Sequence, residues 1–182
     1  MGWLGSGVLL WSLANLLKRV APGWRSRLGS AARPVVALSI VLSVVLMVLG
    51  YQQAEGPLWW GRQSALVGIS NLLVLIGFYI IAGSIIGARI SRFIRHPQLT
   101  AIKLWAIAHL LVNGDLASLI LFGGLLIWAV LAVMLINRQE KSRVQEQGSI
   151  AWLREVGALS VAIVIYGLVG YAHGWLGYPV HG

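Results

Sequence analysis

Lys103 and His109 stand inside a stretch that is otherwise soluble in lipid, RHPQLTAIKLWAIAHLLVNGD from Arg95 to Asp115. Ionisable groups at membrane depth are expensive, and they mark function more often than surface charges do. An imidazole there can ligate a metal, exchange a proton or hydrogen-bond across a helix interface. On a helix that begins at Pro97, Ile102, Trp105, His109 and Val112 recur at spacings of three and four and share one face. That face is a candidate lining for an internal pocket. Two readings of His109 stand side by side: a contact to a cofactor or substrate, and a core histidine bonded to a neighbouring helix.

The other polar residues of the stretch have readings that need no ligand. Lys103, about 9 Å along the helix, can snorkel its ammonium to the cytoplasmic headgroups. Asp115, just after the helix-breaking Asn113-Gly114, is placed to cap the next helix. Arg95-His96-Pro97 reads as a helix start, because proline is accepted at the first helical position and pushes the residue before it out of the helical region. An added contact of Arg95 or His96 with an anionic headgroup is the alternative. His109 lies about 18 Å along its helix, in the outer half of the bilayer. His173 ends the last apolar run on that same side, so His109 and His173 can share a site. His96, on the opposite surface, cannot join them.

Composition shows what must position these residues. The 182 residues are 58% hydrophobic and only 10% charged, against roughly 25% charged for a soluble domain, and the mean hydropathy is +0.82. This predicts an all-α integral membrane protein, a polytopic transmembrane helical bundle. Apolar runs of about 18 residues suffice to cross a hydrocarbon core of about 30 Å. Six can be delimited, at about 3–20, 34–51, 65–88, 97–113, 116–136 and 156–172. The fourth is short, at roughly 24 Å. A β-barrel would show alternating ten-residue segments rather than continuous runs such as LASLILFGGLLIWAVLAVMLI. The chain reads as one domain.

Charge gives orientation. Lys18, Arg19, Arg25, Arg27 and Arg33 follow the first run, Arg89, Arg92 and Arg95 the third, and Arg138, Lys141, Arg143 and Arg154 the fifth; the alternate loops hold only Arg62. The positive-inside rule then places both termini outside the cytoplasm. The net charge of +9 is accounted for by topology and by anionic headgroups. A nucleic-acid footprint would need a folded basic domain, so no nucleic-acid partner is expected. The N-terminus has no basic residue before its apolar stretch and reads as a retained helix rather than a signal peptide. Trp59, Trp60, Trp152 and Trp175 fall at interfaces, as an aromatic belt requires. Gly83 with Gly87, and Gly170 with Gly174, have the small-x-x-x-small spacing of close helix packing.

The chain has no cysteine, which excludes disulfides, iron–sulfur clusters and thiolate-bound zinc or haem within it. Histidine is the remaining strong soft-metal ligand. There is no phosphate-binding loop, dinucleotide fingerprint or metalloprotease motif, and no inverted repeat of the kind many transporters carry.

At these residues a family resemblance emerges. Arg95-His96-Pro97, Leu104-Trp105-Ala106, Ala108-His109-Leu110-Leu111 and Asn113-Gly114-Asp115 together resemble the signature of NnrU-type bacterial membrane proteins. Ala172-His173, Trp175-Leu176-Gly177 and Ala21-Pro22-Gly23-Trp24-Arg25 extend the likeness over nearly the whole chain. That family is named for genes accompanying nitrite and nitric oxide reduction and is similar to the plant cis-ζ-carotene isomerase, a haem b membrane enzyme. The resemblance implies haem b, with His109 at the position of an axial ligand. The early histidine that supplies a second ligand in the isomerase is replaced here by Asn15, or by Trp11 on a less favoured alignment, and the nearby cysteine by Ala106. Iron would then be five-coordinate on His109 or take His173.

Two classes of function follow. One is a haem-dependent isomerase or redox protein of the bacterial inner membrane, acting on an isoprenoid, carotenoid or lipid ligand or linked to nitrogen-oxide respiration. The other is a non-catalytic accessory or assembly subunit of a larger respiratory or photosynthetic membrane complex. A transporter ranks third.

Overall fold

A computed structural model describes residues 1–140, 152–178 and 180. Lys141 and Arg143 of the basic loop lie outside the described residues, as do 179 and 181–182 of the tail. The described residues are helical, with no strand beyond an isolated antiparallel bridge between Leu58 and Asp115. The six main helices are α1 (Gly2–Val20), α2 (Ala32–Gln52), α3 (Ser64–Ile86), α4 (Pro97–Val112), α5 (Leu116–Gln139) and α6 (Trp152–Trp175). Short helices at Pro22–Arg27 and Ile90–Phe93 occupy two connections. Four helical stretches are long and apolar enough to cross a membrane: Gly29–Gln52, Ser64–Ile86, Leu116–Gln139 and Trp152–Trp175. The 16-residue α4 is apolar but shorter. In α1, Asn15, Lys18 and Arg19 dilute an otherwise apolar sequence.

The chain divides into two compact units, Met1–Trp59 with Gly114–Glu140, and Trp60–Asn113 with Lys141–Gly182. In the first, α1 packs against α2 and α5. Paired positions Leu4 with Gly50 and Gly7 with Met47 make α1 and α2 antiparallel, backbone against backbone. Val8 meets Gly124, Trp11 meets Trp128, and Arg19 meets Glu140 at 2.7 Å, so α1 and α5 run parallel. Gln139 Nε2 donates to Arg19 O. These polar partners lie beyond the apolar run, and they accompany the extension of α5 past the expected end near 136. Within α5 the chain makes a π-helical turn at Leu119–Gly123.

The start of α5 is pinned by its cap. Asp115 accepts from Ser118 N at 2.8 Å and from Ser118 Oγ at 2.6 Å. Ser118 Oγ has thereby donated its only proton, so at 2.9 Å it accepts from the Tyr51 hydroxyl at the end of α2. Trp59 N donates to Gly114 O and Leu116 N to Pro57 O, clamping the segment after α2 onto the same corner. A carboxylate cap of this kind contributes about 1 kcal/mol.

In the second unit α3 packs against both α4 and α6. Gly77 lies against Ala101, and Trp60, just before α3, bonds Leu110 O, while Tyr79 bonds Glu155 and Asn71 bonds Val180 O, so α3 is antiparallel to each. The face of α4 turned to α3 is small, with Ala101 and Ala108 buried, and Ala106 is buried elsewhere on the helix. Helix α6 starts at Trp152, before the expected 156, and so includes Glu155. That carboxylate accepts from the Tyr79 hydroxyl at 2.6 Å and from Arg89 N, and a carboxylate suits the first turn of a helix. Gly87 closes α3 in the left-handed region at φ 76°, with its N–H and that of Ala88 both donating to Gly83 O. Its role is therefore helix termination.

Candidate functional site

Pro97 opens α4 with His96 as the residue before it, and Asn113 closes it in an extended conformation. Both Asn113 N and Nδ2 donate to His109 O, at 2.9 Å. This frame fixes His109 in the last turn of α4, half-buried. Its Nδ1 lies 2.8 Å from Trp105 O. A carbonyl oxygen only accepts, so Nδ1 carries the proton and, in the neutral ring, Nε2 carries the lone pair. The Trp105 ring lies 4.9 Å from the imidazole, tilted by 51°, which restricts ring rotation further. Trp60 Nε1 donates to Leu110 O one residue on, tying the chain before α3 to this end of α4.

His173 repeats the arrangement on α6: its Nδ1 lies 2.9 Å from Val169 O. Each imidazole is thus held by the carbonyl of the preceding turn of its own helix. His109 and His173 belong to one unit. A histidine with Nδ1–H held by a backbone carbonyl presents Nε2 as a metal-facing nitrogen, the usual set-up of a ligating imidazole. The donor set therefore fits a haem iron that His109 would hold, with His173 anchored in the same way. Such ligation needs one or two side chains. Among the described residues no group of three or more His, Asp and Glu is placed to hold a bare metal ion.

The remaining sequence candidates separate from this pair. Arg95 and His96 lie at the other end of α4, about 20 Å along the axis from His109. Lys103 is half-buried two turns from His109. Asp115 and Asn15 belong to the first unit. Asp115 is the cap of α5, and Asn15 Nδ2 donates to Trp11 O at 2.9 Å. An amide committed in that way is no substitute for an imidazole ligand. Two polar features had no local signal in the sequence. Tyr79 and Glu155 pair across 76 positions, and Trp11 with Trp128 across more than a hundred. Such partners can be identified only once the helices are placed side by side.

A family model described as NnrU protein matches residues 3–180. No curated protein and no solved structure was found to match the chain.

Proposed function

The chain belongs to the NnrU family, and from that premise we propose that it is a six-span protein of the bacterial inner membrane in which His109 holds haem b. His173 is the second candidate ligand, and the substrate is an isoprenoid or carotenoid, or the protein serves nitrogen-oxide respiration. The observation that carries this reading is the fixed imidazole of His109, whose Nδ1–H is given to Trp105 O, the tautomer in which Nε2 carries the lone pair. The bound group would supply a Lewis-acidic or one-electron iron centre whose behaviour is tuned by axial ligand and surrounding dielectric. The chain's own part is to orient the imidazole through the Trp105 carbonyl and to flank it with the indole of Trp105. A purified protein of this kind should bring a cis-polyene to isomeric equilibrium, or show reversible reduction, without added subunits.

A second reading, an accessory subunit of a larger complex, draws on two observations. The early ligand position holds Asn15 with its amide already bonded, and one side of α2 exposes Leu38, Val41, Leu42, Val45 and Val48, which lipid or a partner helix would cover. Copurification with a defined complex that survives His109→Ala, with no turnover by the isolated chain, would select it.

Alternation of helix direction supports the six-span topology with both termini outside. Parallel α1 and α5, and antiparallel pairings of α3 with α4 and with α6, are what an up-and-down order requires within each unit. The basic residues Arg25, Arg27, Arg89 and Arg92 fall between α1 and α2 and between α3 and α4. Because the chain has no cysteine, single cysteines at Gly2 and Tyr178 should react with an impermeant maleimide from outside, and one at Arg27 only after lysis. The reverse pattern would overturn the orientation.

A further inference from the structure

Trp11 on α1 and Trp128 on α5 meet edge to face, with ring centroids 5.6 Å apart and planes 79° apart. Both indole Nε1 atoms are buried and have no hydrogen-bond partner among the described residues. Trp128 is only 7% exposed. Indole is a donor and never an acceptor, and a buried donor without a partner is uncommon in proteins and calls for an explanation. The contact between the rings does not supply one. In a T-shaped pair one N–H can be directed at the partner's ring face, but the two cannot serve each other in this way at once. The neighbouring Ser12 and Asn15, whose side chains donate to Val8 O and Trp11 O, do not accept from either indole. A second observation falls on the same helix: the π-helical turn Leu119–Gly123 lies shortly before Trp128, and such turns concentrate at functional sites.

We propose that Trp11 and Trp128 form a mid-membrane binding site for the carbonyl oxygen of an apolar molecule of the isoprenoid-quinone class. A carbonyl oxygen offers two lone pairs, one for each indole, and brings no proton that would itself need an acceptor. Water would bring two protons into a stretch of α1 and α5 where Val8, Leu125 and Ala129 are buried. Depth selects among carbonyl compounds. Trp11 lies about 13 Å from either end of α1 and Trp128 about 17 Å from either end of α5, so both sit near the middle of a hydrocarbon core about 30 Å thick. The ester carbonyls of phospholipids lie at its edge, whereas a quinone ring on an isoprenoid tail travels through it. The site belongs to the first unit, and it stands or falls separately from the haem reading.

The test uses the full chain in phosphatidylcholine nanodiscs, titrated with decylubiquinone. Bound quinone is counted by extraction, and indole N–H bonding is read from its ultraviolet resonance Raman marker. About one saturable quinone per chain is expected, with the marker moving to the hydrogen-bonded position. Trp11→Phe and Trp128→Phe keep an aromatic ring and remove the donor. Each should weaken binding about fivefold, and the pair more than tenfold. The ligand-free double variant should melt no lower than wild type, because it no longer buries two unpaired donors. Ether-linked phosphatidylcholine discs, which have no ester carbonyl, should give the same result. Non-saturable partitioning unaffected by the double substitution would overturn the proposal. So would an indole marker that responds to ester lipid alone, or one already hydrogen-bonded in ether-lipid discs without quinone.

Discussion

His109→Ala is expected to leave a folded protein that retains less than about a tenth of the haem held by wild type. Disturbing even an outer-shell partner of a metal-ligating histidine costs about 10–100-fold in affinity, and removal of the ligand itself costs at least as much. Stability should change little, because the side chain is only half-buried and its Nδ1 bond to Trp105 O lies within its own helix. Asn113 will still cap the end of α4, since it bonds the backbone carbonyl of residue 109 and not the side chain. Trp105→Phe provides the control. The Trp105 group that orients His109 is a main-chain oxygen, so the substitution keeps the anchor and an aromatic neighbour, and haem should remain. Loss of haem in Trp105→Phe but not in His109→Ala would place the site elsewhere.

The largest effect on stability is expected at Gly50. A methyl group there would overlap the backbone of Leu4, and one at Gly7 would lie 2.8 Å from Met47 N and 2.9 Å from Ser43 O. In both cases the obstacle is main chain, which cannot turn aside as a side chain does. Helices α1 and α2 would have to separate along the whole contact, opening voids beside the buried Leu4, Ser43 and Met47. Overpacking of this kind typically costs 1–3 kcal/mol and occasionally more; Gly50→Ala should cost about 3 kcal/mol, measured as the shift of the detergent-titrated unfolding midpoint. Gly5→Ala and Gly68→Ala, where an added methyl meets nothing within 4 Å, should be neutral or slightly stabilising through better helix propensity. Equal effects at Gly50 and Gly5 would show that α1 and α2 do not pack this way.

Much of the helical frame could be read from local signals. Continuous apolar runs gave the helices, Pro97 and Asn113-Gly114 bracket α4, and the Asp115 cap follows from a short acidic side chain just before an apolar run. Features that depend on which helices are neighbours were not legible. The small-residue motif drew attention to Gly83 with Gly87 and Gly170 with Gly174. Yet Gly87 is a left-handed helix stop, and an added methyl at Gly174 would meet open space. Backbone-to-backbone approach of two helices is made instead at Gly7 and Gly50, single glycines on different helices whose pairing no local spacing encodes. Glu155 falls just before the sixth apolar run, expected to open at 156. Tyr79 and the Arg89 amide, brought up by α3, allow it to sit inside α6. The π-helical turn in α5 is silent for another reason: LILFG has the composition of ordinary membrane helix.

For the candidate site, the sequence carried the position of His109 but not its tautomer. The determinant is a carbonyl one turn earlier, which every residue type possesses. The same holds for His173 and Val169. The two histidines are separated by 64 positions, and it is the packing of both α4 and α6 on α3 that assigns them to one unit.

The absorption spectrum of the protein purified from haem-replete cells, with iron measured on the same sample, tests the central claim most directly. A Soret band with about one iron per chain, lost in His109→Ala and kept in Trp105→Phe, is the expected result. A colourless, iron-free preparation that is nonetheless folded would contradict it.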